Sequence, residues 1–180
     1  DPSHFHKTMV IGVGKAACNM MLGALSVLPK NNFINRPIVI TNQENLVDIN
    51  GVTIMVAGHP FPNQESLIAT QKALKTATSL TVDDTLLVLV SGGASAMVSQ
   101  PVEGISLTDK INTTQAMLAS GIDINQMNVV RKQLSAVKGG KLAELASPAR
   151  VIGLILSDVI GDDLGAIASG PTVHSNENRT

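Results

Sequence analysis

The sequence predicts an α/β fold built on an open, mostly parallel sheet with helices on both faces. Two observations support this prediction. Apolar segments of strand length alternate with segments of helical spacing along the chain. Two strand segments, residues 85–90 and 151–156, are apolar at nearly every position, which is typical of strands buried on both faces. With 180 residues, 44% of them hydrophobic, the chain fits one domain with a sizeable core.

Composition excludes several classes of function. The net charge is -1 and the positive charges are scattered, so the sequence lacks the footprint of a nucleic-acid binder. Aromatic residues make up 2% of the chain, which removes the platforms on which bases stack. No apolar run is long enough to predict a membrane span. The single cysteine, Cys18, excludes an internal disulfide and fits a reducing compartment, so we expect a cytoplasmic protein.

Strands and helices are predicted in order along the chain. Glycine, proline and capping residues mark where the elements begin and end, as Pro29 does after the first helix. Asn63 is a predicted cap before the second helix, and Ser106 with Asp109 is a predicted capping box before the third. Together these elements predict a three-layer, Rossmann-like architecture. Strands are predicted at residues 8–11, 37–41, 52–57, 85–90 and 151–156. Helices are predicted after residue 17 as far as 28, at 63–80, at 106–120 and within 123–146.

The first strand runs into a glycine turn and a helix. The segment G-V-G-K-A-A, residues 12–17, lacks the third glycine of a dinucleotide fingerprint, and its spacing is not that of a Walker P-loop. What remains is Lys15 at a helix N-terminus, after the carboxyl end of a strand. Gly14 and Lys15 are therefore candidate contacts to a phosphate or a transition state. The alternative is a solvated lysine on the first turn.

The central strand, residues 85–90, breaks into Ser91-Gly92-Gly93-Ala94-Ser95. Gly92 and Gly93 permit a sharp turn and a close approach of the backbone to a ligand, while Ser91, Ser95 and the free amides of a new helix suit an anion. The alternative is a tight strand-to-helix connection without a ligand. His59 follows another strand, in a loop that two prolines stiffen. It is a candidate anion contact or acid–base group, or else it only caps the loop.

Polar groups are densest between residues 123 and 146. On a helix, Asn128, Arg131, Lys132 and Ser135 would share one face, because they follow spacings of three and four. Such a face is either an anion clamp or a solvated surface. Lys138 and Gly139 follow three and four residues after Ser135 and are further candidate ligand contacts.

Three carboxylates follow the last apolar strand. Ser157, Asp158, Asp162 and Asp163 lie just after residues 151–156. Their carboxylates suit a magnesium ion, or a base that accepts a hydroxyl proton. The alternative is a capped loop. Ser157 and Gly170, which lies in a later segment of small residues, are also candidate ligand contacts. All of these polar segments are predicted to meet at the carboxyl edge of the sheet.

The motifs together resemble those of the type II glycerate kinases. V-G-K-A-A, A-G-H-P-x-P, V-S-G-G-A-S-A, N-x-V-R-K-Q-L-S-x-V-K-G-G-K-L-A and S-D-V-I-G-D-D followed by A-S-G-P-T occur in the same order and cover nearly the whole chain. The resemblance implies transfer of the ATP γ-phosphoryl group to the 2-hydroxyl of D-glycerate with magnesium, giving 2-phosphoglycerate and ADP. It implies that Lys15 is catalytic and that residues 91–95 bind an anion. Arg131, Lys132 and Lys138 would be further contacts, whereas Asp158 and Asp162 are assigned to magnesium or hydroxyl activation by their chemistry.

The family members are longer than this chain and carry a second domain. By this comparison residues 1–180 are a single N-terminal domain, and the missing C-terminal domain would close the cleft. Alone, the piece is expected to be inactive or very weak, because water would reach the reacting atoms. Homodimerisation is compatible with this interpretation. Two alternatives remain, namely an NAD(P)H-dependent hydroxypyruvate reductase and a non-catalytic binding domain of the same family.

Overall fold

Five parallel strands form the sheet of the computed structural model, which describes residues 7–158 and 161–173. The strand order is β3-β2-β1-β4-β5. The central pair, β1 and β4, is aligned from Thr8 beside Thr85 to Val13 beside Val90. The strands are β1 (Thr8–Val13), β2 (Ile38–Thr41), β3 (Thr53–Val56), β4 (Thr85–Val90) and β5 (Arg150–Ile155).

The strand order reverses between β1 and β4. The chain leaves β1 toward β2 and β3 on one side, then returns to β4 and β5 on the other. In open α/β sheets, loops that leave the carboxyl ends of two such strands diverge and form a crevice, where ligands bind. The prediction of an open α/β sheet is confirmed, and all five strands are parallel.

Helices cover both faces of the sheet. Alternate residues of β1 point to opposite sides, so that Met9 and Ile11 join one apolar cluster and Val10 joins the other. Helix α1 packs in the cluster of Val10, while α2 and α6 supply residues to the cluster of Met9. The helices are α1 (Ala17–Val27), α2 (Gln64–Thr78), α3 (Ala94–Met97), α4 (Leu107–Ala119), α5 (Ile124–Gln133) and α6 (Lys141–Leu145).

Two helices begin as the sequence predicts. The Asn63 side chain accepts a hydrogen bond from the Ser66 amide, and the Ser66 hydroxyl accepts one from the Asn63 amide in return. Ser106 and Asp109 form the same reciprocal pair before α4. These caps satisfy backbone donors that a helix start leaves unpaired.

Three predicted features differ from the structure. Strand β1 continues two residues past the predicted end, to Val13. Strand β5 is not buried, and Leu154 is 51% exposed, because β5 is an edge strand among the described residues and pairs only with β4. Helix α5 ends at Gln133, so Ser135 does not share its face. Within the described ranges, no helix is both long and apolar enough to cross a membrane.

Candidate functional site

Backbone hydrogen bonds join the loops that leave β1 and β4. The Lys15 amide donates to the Gly92 carbonyl at 2.9 Å, and the Ser91 amide donates to the Val13 carbonyl at 3.0 Å. The Ser91 hydroxyl accepts from the Ala16 amide at 3.0 Å. Ser91 is only 1% exposed, so this predicted anion contact instead links the two loops.

Gly14 makes this close contact possible. Its φ is +117°, where side chains are disfavoured. A β-carbon at this position would lie 2.5 Å from the Ser91 carbonyl oxygen and closer still to the Ser91 hydroxyl. The glycine therefore sets how near the β1 loop comes to the β4 loop.

Lys15 and His59 meet over Gly93. A β-carbon built on Gly93 would lie 3.2 Å from Lys15 Cε and 3.2 Å from His59 Nε2. Both side chains are exposed at the carboxyl edge of the sheet. Partial burial lowers the pKa of His59, the nearby Lys15 ammonium lowers it further, and Glu44 opposes the shift. The imidazole is therefore predominantly neutral at pH 7, with one nitrogen able to donate and the other able to accept.

Asp158 approaches Gly92, the residue before Gly93. A β-carbon on Gly92 would collide with the Asp158 carboxylate, so the absence of a side chain leaves room for this acid. Asp158, Asp162 and Asp163 are all exposed, and the Asp163 carboxylate accepts from the Gly165 amide at 2.8 Å and caps a turn. Residues 159 and 160 of the predicted loop lie outside the described residues. Over the described part of the chain, no group of three or more His, Cys, Asp or Glu side chains is arranged to hold a metal.

A second cluster surrounds Ser95, which lies two residues after Gly93. Arg131 Nη2 and Lys138 Nζ each lie 2.6 Å from Ser95 Oγ. Lys138 Nζ also donates to the Ser95 carbonyl at 3.0 Å. A second guanidinium nitrogen, Arg131 Nη1, donates to Asn128 Oδ1 at 3.4 Å. The structure thus brings together three of the predicted polar residues of the 123–146 segment.

The turn at residues 138–140 holds a left-handed segment of backbone. Lys138 Nζ donates to the carbonyl of residue 168 at 3.4 Å, and the amides of residues 139 and 140 donate to the carbonyls of 169 and 170 at 2.9 and 2.7 Å. Residues 168–170 have φ values of 54°, 61° and 61°, which cost free energy at Ala168 and Ser169. Gly139 and Gly170, predicted as ligand contacts, therefore belong to the backbone pairing that positions Ser169 beside Ser95.

Two further residues of this region, Ser135 and Lys132, were predicted to share one helical face with Arg131. Ser135 is fully buried, and its hydroxyl accepts from the amides of Val137 and Lys138 at 3.2 and 3.3 Å. It stabilises the turn after α5 because the helix has already ended, and so the predicted four-residue face is wrong at this position. The Lys132 carbonyl accepts from Lys141 Nζ at 3.0 Å.

The sequence pattern did not predict that Lys110 is buried. It is 5% exposed, and its Nζ donates to Ser99 Oγ at 2.9 Å. Burial lowers the pKa of Lys110 to about 8, with further contributions from Arg131 and Lys141. Spacing alone gives no signal for this burial, because α4 carries polar residues on most of its surface.

The lowered pKa of Lys110 predicts that the protein becomes more stable as the pH rises above about 8. The pKa of this lysine is lowered from 10.5 to about 8 in the folded state, so between these values the unfolded chain binds more protons. The free energy of unfolding should therefore rise with pH over this window, by at most about 3.5 kcal/mol at about 1.4 kcal/mol per pKa unit. We expect Lys110→Met to lose the part of this rise that Lys110 contributes, as measured by urea unfolding at several pH values. Lys138, whose pKa is also lowered, should keep its own part of the rise.

The exposed Lys72 provides the control for that measurement. Lys72→Met should keep the pH dependence of the wild type. A Lys110→Met variant with the wild-type slope between about pH 8 and 10.5 would contradict the assignment.

Comparison with known proteins identifies relatives of this fold and sequence. A family model described as a domain of unknown function, DUF4147, matches residues 1–180. A protein of Thermotoga maritima named D-glycerate 2-kinase is 42% identical over 168 residues, which are 92% of this chain and 39% of the relative. A protein of Agrobacterium vitis that bears the name of a hydroxypyruvate reductase is 42% identical over 167 residues, 93% of this chain and 43% of its own length.

A solved structure has the same fold. The crystal structure of a glycerate kinase from Thermotoga maritima superposes with a TM-score of 0.90 at 40% sequence identity. The match covers 94% of this chain and 41% of that chain. The chain thus spans about two fifths of the length of the proteins it resembles.

Proposed function

Because the chain belongs to the DUF4147 family, whose model matches its whole length, we propose that it is the N-terminal part of a glycerate 2-kinase. The reaction is ATP-dependent phosphorylation of D-glycerate at the 2-hydroxyl, giving 2-phosphoglycerate and ADP. A C-terminal part of the enzyme would close the crevice, and residues 1–180 alone would be inactive or very weak.

The observation that carries this proposal is the convergence of three side chains on the Gly92–Gly93 loop. Lys15 and His59 approach Gly93, and Asp158 approaches Gly92. They come from loops after β1, β3 and β5, and the loop after β4 lies between them. Phosphoryl transfer depends on positioning and charge neutralisation, which a lysine, a neutral imidazole and a carboxylate around a close backbone approach supply.

Each charged group has a distinct part in this reaction. The exposed Lys15 ammonium would bind the transferring phosphoryl group and stabilise the charge that develops on it. Arg131 has guanidinium N–H groups beyond those bonded to Ser95 and Asn128, and these would bind a phosphate or the carboxylate of glycerate. Lys132, the next residue after Arg131, would add positive charge near the bound phosphate or carboxylate.

The carboxylates fit a magnesium ion held jointly with ATP. Mg²⁺ is commonly bound by one or two carboxylates together with substrate phosphates, and Asp158 is exposed beside the glycine loop. Asp158, with Asp162, would hold the ion, which neutralises phosphate charge when bound. A neutral His59 could donate a hydrogen bond to a phosphate oxygen.

The test is a coupled assay on the longest form of the protein that contains residues 1–180. D-glycerate and MgATP are supplied, and enolase detects the 2-phosphoglycerate that forms. Product that enolase consumes supports phosphorylation at the 2-hydroxyl. A folded full-length protein without turnover overturns the proposal.

Two other functions have specific readouts in the same preparation. The name of the Agrobacterium vitis relative suggests a reductase, which would oxidise NADH in the presence of hydroxypyruvate. The segment G-V-G-K-A-A argues against this, because it lacks the third glycine of a dinucleotide site. Calorimetric binding of phosphate without turnover would instead indicate a binding domain.

A further inference from the structure

The Ser95 hydroxyl lies between two cationic side chains. Lys138 Nζ and Arg131 Nη2 are both 2.6 Å from Ser95 Oγ, and Ser169 Oγ is 3.5 Å away. Lys138 is 2% exposed, and its other neighbours are the carbonyls of Ser95 and Ala168. The positions of the hydrogens follow from how many donors and acceptors these groups carry.

One arrangement satisfies every close contact. If Lys138 is a neutral amine, its two N–H groups donate to the carbonyls of Ser95 and Ala168, and its lone pair accepts the Ser95 O–H. Ser95 Oγ then accepts from Arg131. If Lys138 is an ammonium, Ser95 Oγ must accept hydrogen bonds from two cations. The Ser95 O–H can then donate only to the Ser169 hydroxyl, whose oxygen is 3.5 Å away, at the limit of hydrogen-bonding distance.

The surrounding charges favour the neutral amine. The positive charges of Arg131 and Lys110 act on Lys138, and the charge of Lys141 acts on Lys110. Among the described residues, no carboxylate contacts Lys138 or Arg131. A buried ammonium with cationic neighbours and no anion is costly. Burial and these neighbours lower the pKa of Lys138 well below its ordinary value.

We propose that Ser95 and Lys138 form a serine–lysine dyad that accepts the proton of the hydroxyl to be phosphorylated. The catalytic role of the dyad rests on the proposed kinase function. The hydrogen bond between Ser95 and a neutral Lys138 does not depend on that function. Ser95 is partly exposed and lies two residues after Gly93, so the dyad adjoins the loop that Lys15 and His59 approach.

The proton balance of the step is simple. The 2-hydroxyl of the acceptor gives its proton to Ser95 Oγ as Ser95 gives its own proton to Lys138 Nζ. The acceptor oxygen forms its bond to the γ-phosphorus, the bond from that phosphorus to the bridging oxygen breaks, and ADP leaves. Lys138 leaves the step as an ammonium and returns its proton to solvent after product release. Arg131 stabilises negative charge on Ser95 Oγ during the transfer.

The first experiment measures the charge of Lys138 directly. The full-length protein is labelled with ¹³C and ¹⁵N in its lysines, and the Lys138 signal is assigned by its loss in Lys138→Arg. A neutral Lys138 amine at about pH 7.5, where Lys110 with its pKa of about 8 is still mostly protonated, supports the dyad. An ammonium signal at this pH overturns it. This result is independent of kinase turnover, so failure of the dyad and failure of the proposed function are distinguishable.

The second experiment tests the role in catalysis. Ser95→Ala and Lys138→Met should each lower kcat about a hundredfold or more, with a smaller change in KM, and the double variant should lose little further. Ser99→Ala is the matched control, because Ser99 binds Lys110 rather than Lys138, and this variant should keep turnover near wild type.

Urea unfolding shows whether Lys138→Met is folded. If this variant is folded and retains the wild-type kcat, the proposed role of the dyad is wrong.

Discussion

Replacing Lys15 by alanine is expected to lower kcat for D-glycerate phosphorylation by about 10²- to 10³-fold. The Lys15 amide is fixed by its hydrogen bond to the Gly92 carbonyl, and the side chain passes over Gly93 toward the crevice. Its ammonium would contribute most when charge moves onto the transferring phosphoryl group, so kcat should fall more than the KM for ATP rises. The coupled assay with D-glycerate and MgATP measures both.

Two variants separate a catalytic role from a structural one. Lys15 is exposed, so Lys15→Ala should change the free energy of unfolding by no more than about 0.5 kcal/mol. Lys30→Ala removes another exposed lysine and should leave turnover unchanged. If Lys15→Ala turns over at the wild-type rate, this lysine has no part in stabilising the transition state.

Local sequence features predicted most of the fold. The apolar run at 85–90 and the caps at Asn63 and Ser106 depend on residues close together in the chain, and all three were confirmed. The burial of β5 depends instead on what lies beside it. Its apolar sequence predicted a strand covered on both faces, whereas among the described residues it lies at the edge of the sheet.

The candidate site was predictable where chain order determines position. Lys15, His59 and Asp158 each follow a strand, and parallel strands direct their carboxyl ends to one edge. The environment of Lys110 and Lys138 was not predictable, because their burial arises from elements distant in sequence. Lys138 binds residues 95 and 168, which are 43 and 30 positions away. Helical spacing gave the wrong position for Ser135 because the helix ends two residues earlier, at Gln133.

Gly14→Ala is expected to destabilise the protein by about 2 to 5 kcal/mol. Two costs combine at this position. The backbone has a φ of +117°, which an alanine disfavours, and the new β-carbon would lie 2.5 Å from the Ser91 carbonyl oxygen. That oxygen belongs to backbone that is hydrogen bonded to β1 and cannot move aside as a flexible side chain could. Urea unfolding monitored by circular dichroism measures the change.

Gly23→Ala is the matched control, because Gly23 lies inside α1 and a β-carbon there has no neighbour within 4 Å. This variant should gain about 0.5 to 1 kcal/mol through helix propensity. Gly14→Ala with wild-type stability would contradict the close packing of the two loops. If Gly14→Ala is destabilised but still folds, its turnover can be compared with that of the wild type. If Lys15 reaches the phosphoryl group only when the two loops touch, the folded variant should lose turnover.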